Sequence, residues 1–208
     1  MYLSKLILNP SPAVRQVLRD LANPYDMHRT IMRAFPGNDD GGPGRVLFRL
    51  EPPSPGRAPV VLVQSEKEPK WETLAGLAGY VLSAKIKEFV PTLSAGRKLC
   101  FRLRANPTVK RDGKRHGLPD DQSQLNWLVR KGQSDGFKPL DFTVRRSAKV
   151  VSRKNHARNS PRQTHWAADY EGILEVTDAE KFARALAAGI GPAKAFGFGL
   201  LSVAPIRA

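Results

Sequence analysis

Four side chains near the start of this 208-residue chain have the types and spacing that proton transfer beside a phosphate requires. Tyr25, His28 and Arg29 stand three and four residues apart, so on a helix they emerge together, beside Arg33. An imidazole moves a proton near neutral pH, a phenol hydrogen-bonds or exchanges a proton, and guanidinium groups hold phosphate and transition-state charge. The set suits phosphodiester cleavage, although a surface histidine without any role would have the same spacing.

The flanking residues predict the helix that would carry these groups. Asn23 is a favourable N-cap and Pro24 fits the first helical position. Apolar residues recur at helical spacing and predict a buried face; they are Met27, Ile31, Ala34 and Phe35. The catalytic candidates would then occupy the exposed polar face.

Metal chemistry finds no support in the sequence. The four histidines are scattered, the single cysteine has no partner, and no acidic cluster suits two magnesium ions. If RNA is cut, the available nucleophile is its own 2′-hydroxyl, which predicts a 2′,3′-cyclic phosphate product and excludes DNA as a cleavable substrate. We expect neither a metal nor another cofactor.

The positive charge of the chain is concentrated in two stretches. The formal charge is +15, and residues 97–115 and 138–165 each hold eight basic residues and one acidic residue, so together they supply 14 of these charges. Like charges repel unless a partner neutralises them, so this concentration predicts binding to nucleic acid. An anionic membrane surface is the weaker alternative, because neither stretch has a bulky apolar face at helical spacing. The candidate RNA-binding side chains are Arg33, Lys110, Arg111, Arg115, Arg145, Arg146, Lys149, Arg153 and Lys154.

A glycine-rich run, GIGPAKAFGFG, occupies residues 189–199. Glycines such as Gly191 and Gly197 would let backbone N–H groups approach an anion, and Lys194 adds a positive charge. The run lacks the ending of a Walker loop and does not lie between a strand and a following helix, so nucleotide hydrolysis is not expected. A tight turn without a binding role is the alternative, but the run is long for one.

Two successive sets of elements follow the order β-α-β-β-α-β. Strands are predicted at 2–8, 45–51, 59–64, 83–90, 98–105, 137–146, 166–176 and 200–205, and helices after residue 13, at 119–130 and at 178–188. Residues 147–164 predict an extended hairpin or loop. We predict an α+β fold of two tandem ferredoxin-like (βαββαβ) domains, 1–90 and 97–208, joined by a linker at 91–96. Without a membrane-length apolar run or a signal peptide, the chain is expected in the cytoplasm.

Several segments, in order along the chain, resemble the CasE family of CRISPR-associated endoribonucleases. They are MYLSKLILNP, LANPYDMHRTIMRAFP, FRLRANPTVKRDGKRHGL, TVRR and GIGPAKAFGFGLLSVAP. The resemblance implies an enzyme that cleaves CRISPR precursor RNA within each repeat, just after a stem-loop, and stays bound to the mature crRNA as a subunit of the Cascade surveillance complex. The expected partners are therefore the CRISPR repeat RNA hairpin and other Cascade subunits, with no membrane.

The resemblance also assigns roles to individual residues. The tyrosine and histidine of NPYxxHR, here Tyr25 and His28, are implied to be catalytic, and we expect Arg29 near the scissile phosphate. The arginines of TVRR, Arg145 and Arg146, are implied to lie against the RNA stem, and the glycine-rich run to face the RNA. The proton assignments of Tyr25 and His28 stay open at this point.

Two other classes of function would give the same concentration of positive charge in two stretches. A non-catalytic protein that binds structured RNA would differ only in the chemistry of His28, and a basic ribosomal or assembly protein would show no preference for one hairpin.

Overall fold

A computed structural model of the chain describes residues 1–77, 79–153 and 162–206. The described residues cluster into two units, each built from separate chain segments. The first holds Met1–Val90, the described part of Val151–Gln163, and Ala195–Gly197, and the second holds Pro91–Val150, Thr164–Lys194 and the described part of Phe198–Ala208. Lys154, predicted to bind RNA, lies outside the described residues.

The first unit is an antiparallel sheet covered by two helices. Its strands are β1 (Tyr2–Leu8), β2 (Val46–Leu50), β3 (Val60–Ser65) and β4 (Val81–Glu88), and its helices are α1 (Arg15–Ala22) and α2 (Pro24–Met32). The strand order is β2-β3-β1-β4. A 3-10 helix at Trp71–Gly76 stands where the second helix of the motif was expected. Leu6 and Leu8 of β1, Met27 and Ile31 of α2, and Trp71 are buried in one core.

The second unit repeats this plan with longer elements. Its elements are β5 (Lys98–Ala105), β6 (Thr108–Arg111), β7 (Lys114–Gly117), α3 (Asp121–Asp135), β8 (Phe137–Arg153), β9 (Arg162–Val176), α4 (Ala179–Ala188) and β10 (Leu201–Pro205), except that the end of β8 and the start of β9 belong to the first unit. The four-stranded sheet has the order β10-β5-β9-β8. In each sheet the first and third strands are central, which is the ferredoxin-like arrangement. The predicted α+β fold with two such domains is confirmed.

One segment agrees with the sequence expectation and another was missed. The described residues of 147–164 continue β8 to Arg153 and begin β9, its neighbour in the sheet, at Arg162, as expected for an extended hairpin. The hairpin of β6 and β7 was not predicted. Its two-residue turn, Asp112-Gly113, has left-handed backbone angles at both positions (φ 48° and 76°), the geometry that matches the twist of paired strands.

The helices pack by one face and leave the other to solvent. In α3, Trp127 and Leu128 are buried and Val129 is exposed. Among the described residues, no helix is long and apolar enough to cross a membrane.

The burial of α3 gives a stability prediction. Leu128→Ala should lower the free energy of unfolding by about 2–5 kcal/mol, because it removes a fully buried side chain and leaves a cavity. Val129→Ala is the matched control and should change it by about 0.5 kcal/mol or less. Denaturant unfolding of both variants measures the difference, and equal losses would contradict the packing of α3.

Candidate functional site

The start of α2 is fixed by the side chain of Asn23. Its Oδ1 accepts a hydrogen bond from the backbone N–H of Tyr25 (3.4 Å), and its Nδ2 donates to Oδ2 of Asp26 (2.9 Å). Pro24 follows at the first helical position and Asp26 lies in the first turn. The helix therefore begins where the Asn-Pro signal predicts.

The same side chain also binds the end of β8. Nδ2 of Asn23 donates to the backbone oxygen of Arg153 (2.9 Å), and its Oδ1 accepts from the backbone N–H of Arg153 (3.4 Å). One amide group thus pairs with both backbone groups of one residue. Arg153, a predicted RNA-binding residue, is held at the N-terminus of the helix that carries His28.

His28 lies in a cluster of four aromatic rings, which we call the aromatic cluster: Tyr25, His28, Phe48 and Phe196. The His28 ring stacks on Phe48, with centroids 6.3 Å apart and planes at 17°, and its centroid is 6.1 Å from that of Tyr25. Tyr25 in turn stacks on Phe196 at 5.5 Å. The structure therefore brings Tyr25 and His28 together, as their spacing predicts.

The cluster changes the protonation of His28. The side chain is half-buried instead of exposed, since Phe48 packs over it, and its Nδ1 is buried without a hydrogen-bond partner among the described residues. Burial lowers the pKa of His28 below the usual histidine value, because the imidazolium would bury an unpaired N–H and a charge. His28 is therefore neutral at neutral pH, and Nε2 is the nitrogen that can meet a substrate.

Arg29 and Arg33 line a cavity whose lining does not include the aromatic cluster. Arg19 of α1 also lines this cavity, which has a volume of about 260 Å³ and lies between α1 and α2. In the structure Tyr25 stacks on Phe196 and His28 on Phe48 of β2, whereas the two arginines line the cavity beside α1. Spacing alone did not separate these two pairs, because it does not include the position of α1.

Close packing explains why glycine stands at two positions of the 189–199 run. Gly197 is buried with φ 80°, and a Cβ there would lie 3.1 Å from Cε2 of Phe48. Gly191, with φ 77°, would place a Cβ 2.9 Å from Cζ2 of Trp127. Nζ of Lys194 donates to the backbone oxygen of Gly191 (2.7 Å). The backbone shape of the run therefore demands glycine whether or not it binds an anion.

A basic hairpin projects from the second unit. β6 and β7 pair Lys110 with Arg115 and Arg111 with Lys114, and these four side chains are exposed. Like charges directly opposite each other destabilise a strand pair. The hairpin is therefore a place where an anion would relieve repulsion.

The base of this hairpin meets β9 at Trp166. A Cβ at Gly117 would overlap the Trp166 ring, and the backbone N–H of Trp166 donates to Oδ1 of Asn106 (3.2 Å). Nζ of Lys149 lies 5.2 Å from the centroid of the same ring, a cation–π distance. Trp166 and Asn106 were not predicted as parts of the site, and only the Asp112-Gly113 turn signals their neighbourhood in the sequence.

The two arginines of TVRR differ in their surroundings. Nε of Arg145 lies 2.9 Å from Oε1 of Glu171, and Nε of Arg102 lies 3.7 Å from Oε2 of the same residue. Arg146 follows directly in the strand, and both arginines are exposed.

A concave basic surface of about 900 Å³ gathers further cations of the second unit. Lys110, Arg115 and Lys194 were predicted to bind RNA, whereas three residues of α3 and α4 join them only in the structure: Lys131, Lys181 and Arg184. These three lie outside both basic stretches, so the distribution of charge along the sequence could not identify them. In the described ranges, no group of three or more His, Cys, Asp or Glu side chains could hold a metal ion.

Comparisons with known proteins agree with this geometry. A family model described as CRISPR associated protein matches residues 1–205. The CRISPR-associated endoribonuclease Cse3 of Thermus thermophilus is 41% identical over 99% of this chain and 100% of its own length. The CRISPR system Cascade subunit CasE of Escherichia coli is 31% identical over the same shares of the two chains. A structure of Thermus thermophilus Cse3 bound to an RNA representing a pre-cleavage complex has a TM-score of 0.86 and 40% identity, and covers 98% of each chain.

The contacts of Asn23 predict the outcome of two substitutions. Asn23→Ala should lower the free energy of unfolding by about 1–2 kcal/mol, because it removes the helix cap and unpairs the backbone of Arg153. Asn23→Ser keeps a capping hydroxyl and should recover part of this loss.

A matched control is Asp120→Ala, which removes the cap of α3, where Oδ1 accepts from the N–H of Ser123 (2.8 Å). It should cost less than Asn23→Ala, since no second contact is lost. Denaturant unfolding compares the three variants, and an Asn23→Ala loss no larger than that of Asp120→Ala would show that the bonds to Arg153 contribute nothing.

Proposed function

The chain belongs to the CasE family of CRISPR associated proteins, and on this basis we propose that it is a metal-independent endoribonuclease that matures CRISPR RNA. It binds the stem-loop of the repeat and cuts the precursor beside it. The observation that carries the proposal is the half-buried His28 ring next to Tyr25, where burial lowers the pKa of the imidazole. Two relatives support it, since one is named an endoribonuclease and the other a Cascade subunit.

The state of His28 favours the role of general base. Its neutral Nε2 takes the proton of the 2′-hydroxyl, and the resulting oxygen attacks the adjacent phosphorus. The bond from phosphorus to the 5′-oxygen breaks, and that oxygen takes a proton from water. The products are a 2′,3′-cyclic phosphate and a 5′-hydroxyl. Tyr25, stacked on Phe196, supports the attack through its hydroxyl.

The basic surfaces hold the RNA. Exposed cations of the hairpin and of β8 bind the stem: Lys110, Arg111, Arg115, Arg146 and Lys149. Arg153 and Lys194 add charge at the end of β8 and in the glycine-rich run, and the backbone at Gly191 and Gly197 faces the RNA. Arg145 joins by exchanging the carboxylate of Glu171 for a phosphate.

We assign catalysis to the first domain and most of the RNA binding to the second. Residues 1–90 form the domain with the catalytic helix, 91–96 the linker, and 97–208 the domain with the basic hairpin and the glycine-rich run. The protein works in the cytoplasm, keeps its product, and enters Cascade together with the mature crRNA.

Removing the proposed general base, His28, should slow cleavage without weakening RNA binding. We expect His28→Ala to cut a repeat RNA about 10²–10⁴-fold more slowly, in single-turnover assays with EDTA present, because general-base catalysis is lost. Its affinity for an RNA with a 2′-deoxy group at the cut site should stay near that of the wild type. Undiminished cutting by His28→Ala would leave a purely RNA-binding role for this side chain.

The pH profile tests the direction of proton transfer. Because burial lowers the pKa of His28, the active neutral form should persist well below the usual histidine pKa. The single-turnover rate should be flat near neutral pH and fall as pH drops through that lowered pKa, measured between about pH 5 and pH 8. A rate that instead falls as pH rises would make His28 the general acid.

A further inference from the structure

Three arginines gather around the cavity between α1 and α2. Arg19 of α1 and Arg29 and Arg33 of α2 are exposed, and all three line the 260 Å³ cavity between the helices. In the described part of the chain, none of the three forms an ion pair with a carboxylate. Arg19 lies outside both basic stretches, so no sequence argument assigned it a role.

The charge of this cavity suits a phosphate group. Three guanidinium groups face two buried carboxylates: Asp26, which lines the cavity and takes a hydrogen bond from Asn23, and Asp20, which lies beneath the lining residue Gln16. The cavity therefore keeps an excess of positive charge. Guanidinium groups bind phosphate through paired N–H donors, and keeping them together without an anion costs repulsion.

The floor of the cavity is rigid. Nε2 of Gln16 donates to Oδ1 of Asp20 (2.7 Å) and to Oγ1 of Thr30 (3.3 Å). The hydroxyl of Tyr80 donates to the other oxygen of Asp20 (2.6 Å), and both Asp20 and Tyr80 are buried. This network joins α1 to α2, so the arginines extend from helices whose spacing is fixed.

We propose that the cavity between α1 and α2 is a phosphate-binding site that holds a backbone phosphate of the RNA strand next to the cut. Arg19, Arg29 and Arg33 bind the phosphate oxygens. Arg29 directly follows His28, so a strand placed at His28 continues around α2 into the cavity. That the ligand is RNA rests on the proposed function. That the cavity binds a phosphate group rests only on its three arginines.

Arg19 acts in binding and not in bond cleavage. Arg19 lies on a different helix from His28 and is not part of the aromatic cluster. Its loss should therefore weaken binding of the strand and leave the rate of the bound complex unchanged.

The test compares Arg19→Ala and Arg19→Lys with Arg57→Ala, which removes an exposed arginine between β2 and β3, outside the cavity. Each full-length variant is titrated with a repeat RNA that carries a 2′-deoxy group at the cut, over a series of salt concentrations. We expect Arg19→Ala to bind about tenfold more weakly, with a salt slope smaller by about 0.7, the value for one phosphate of a single strand. Arg19→Lys should keep most of the affinity, and Arg57→Ala should match the wild type. Melting temperatures verify that each variant is folded.

RNAs of different length separate the possible sources of phosphate. The loss for Arg19→Ala should disappear with an RNA that ends within the stem and lacks the strand next to the cut. A loss that persists with this RNA, or equal affinities of Arg19→Ala and Arg57→Ala, would overturn the proposal. A third outcome would also overturn it: inorganic phosphate stabilises the wild type, but Arg19→Ala does not change RNA binding. The ligand would then be a free anion. These titrations do not involve cleavage, so they remain valid even if His28→Ala cuts normally.

Discussion

The amide group of Asn23 is the constraint on which the candidate active site depends. It caps α2 and thereby sets which residue is the first of the helix, and each residue turns the chain by about 100° around the helix axis. A start shifted by one residue would rotate Tyr25 and His28 away from Phe196 and Phe48. The same amide holds both backbone groups of Arg153. The orientation of the imidazole and the position of a basic strand end are thus set by one side chain.

The general base and the phosphate site proposed on α2 need opposite charge states. A general base needs to be uncharged, and stacking on Phe48 achieves this by removing water from the ring of His28. The proposed phosphate site needs positive charge, which Arg19, Arg29 and Arg33 supply at the cavity beside α1, where their side chains are exposed to water. A helix is suited to this separation, because adjacent residues such as His28 and Arg29 point in different directions while staying at a fixed distance along the axis.

Local signals predicted most of the fold, and contacts between distant residues limited what could be predicted of the site. The Asn-Pro start of α2 and the alternation in β1 are encoded in neighbouring residues, so both were placed correctly. The β6–β7 hairpin was missed although its Asp-Gly turn is a strong local signal. The stacking of Tyr25 on Phe196 and the bond from Asn23 to Arg153, 130 residues away, depend on tertiary packing that periodicity does not contain.

The basic hairpin is anchored at its base and unconstrained at its tip. Gly117 has no room for a side chain beside Trp166, so the base can hardly change. From Lys110 to His116, every residue is exposed, and the backbone pairing and the two-residue turn suffice to hold the strands. Mutations at the tip therefore cost the fold little. The RNA contacts proposed for the tip can therefore change as repeat sequences diverge, while the stability of the fold is kept.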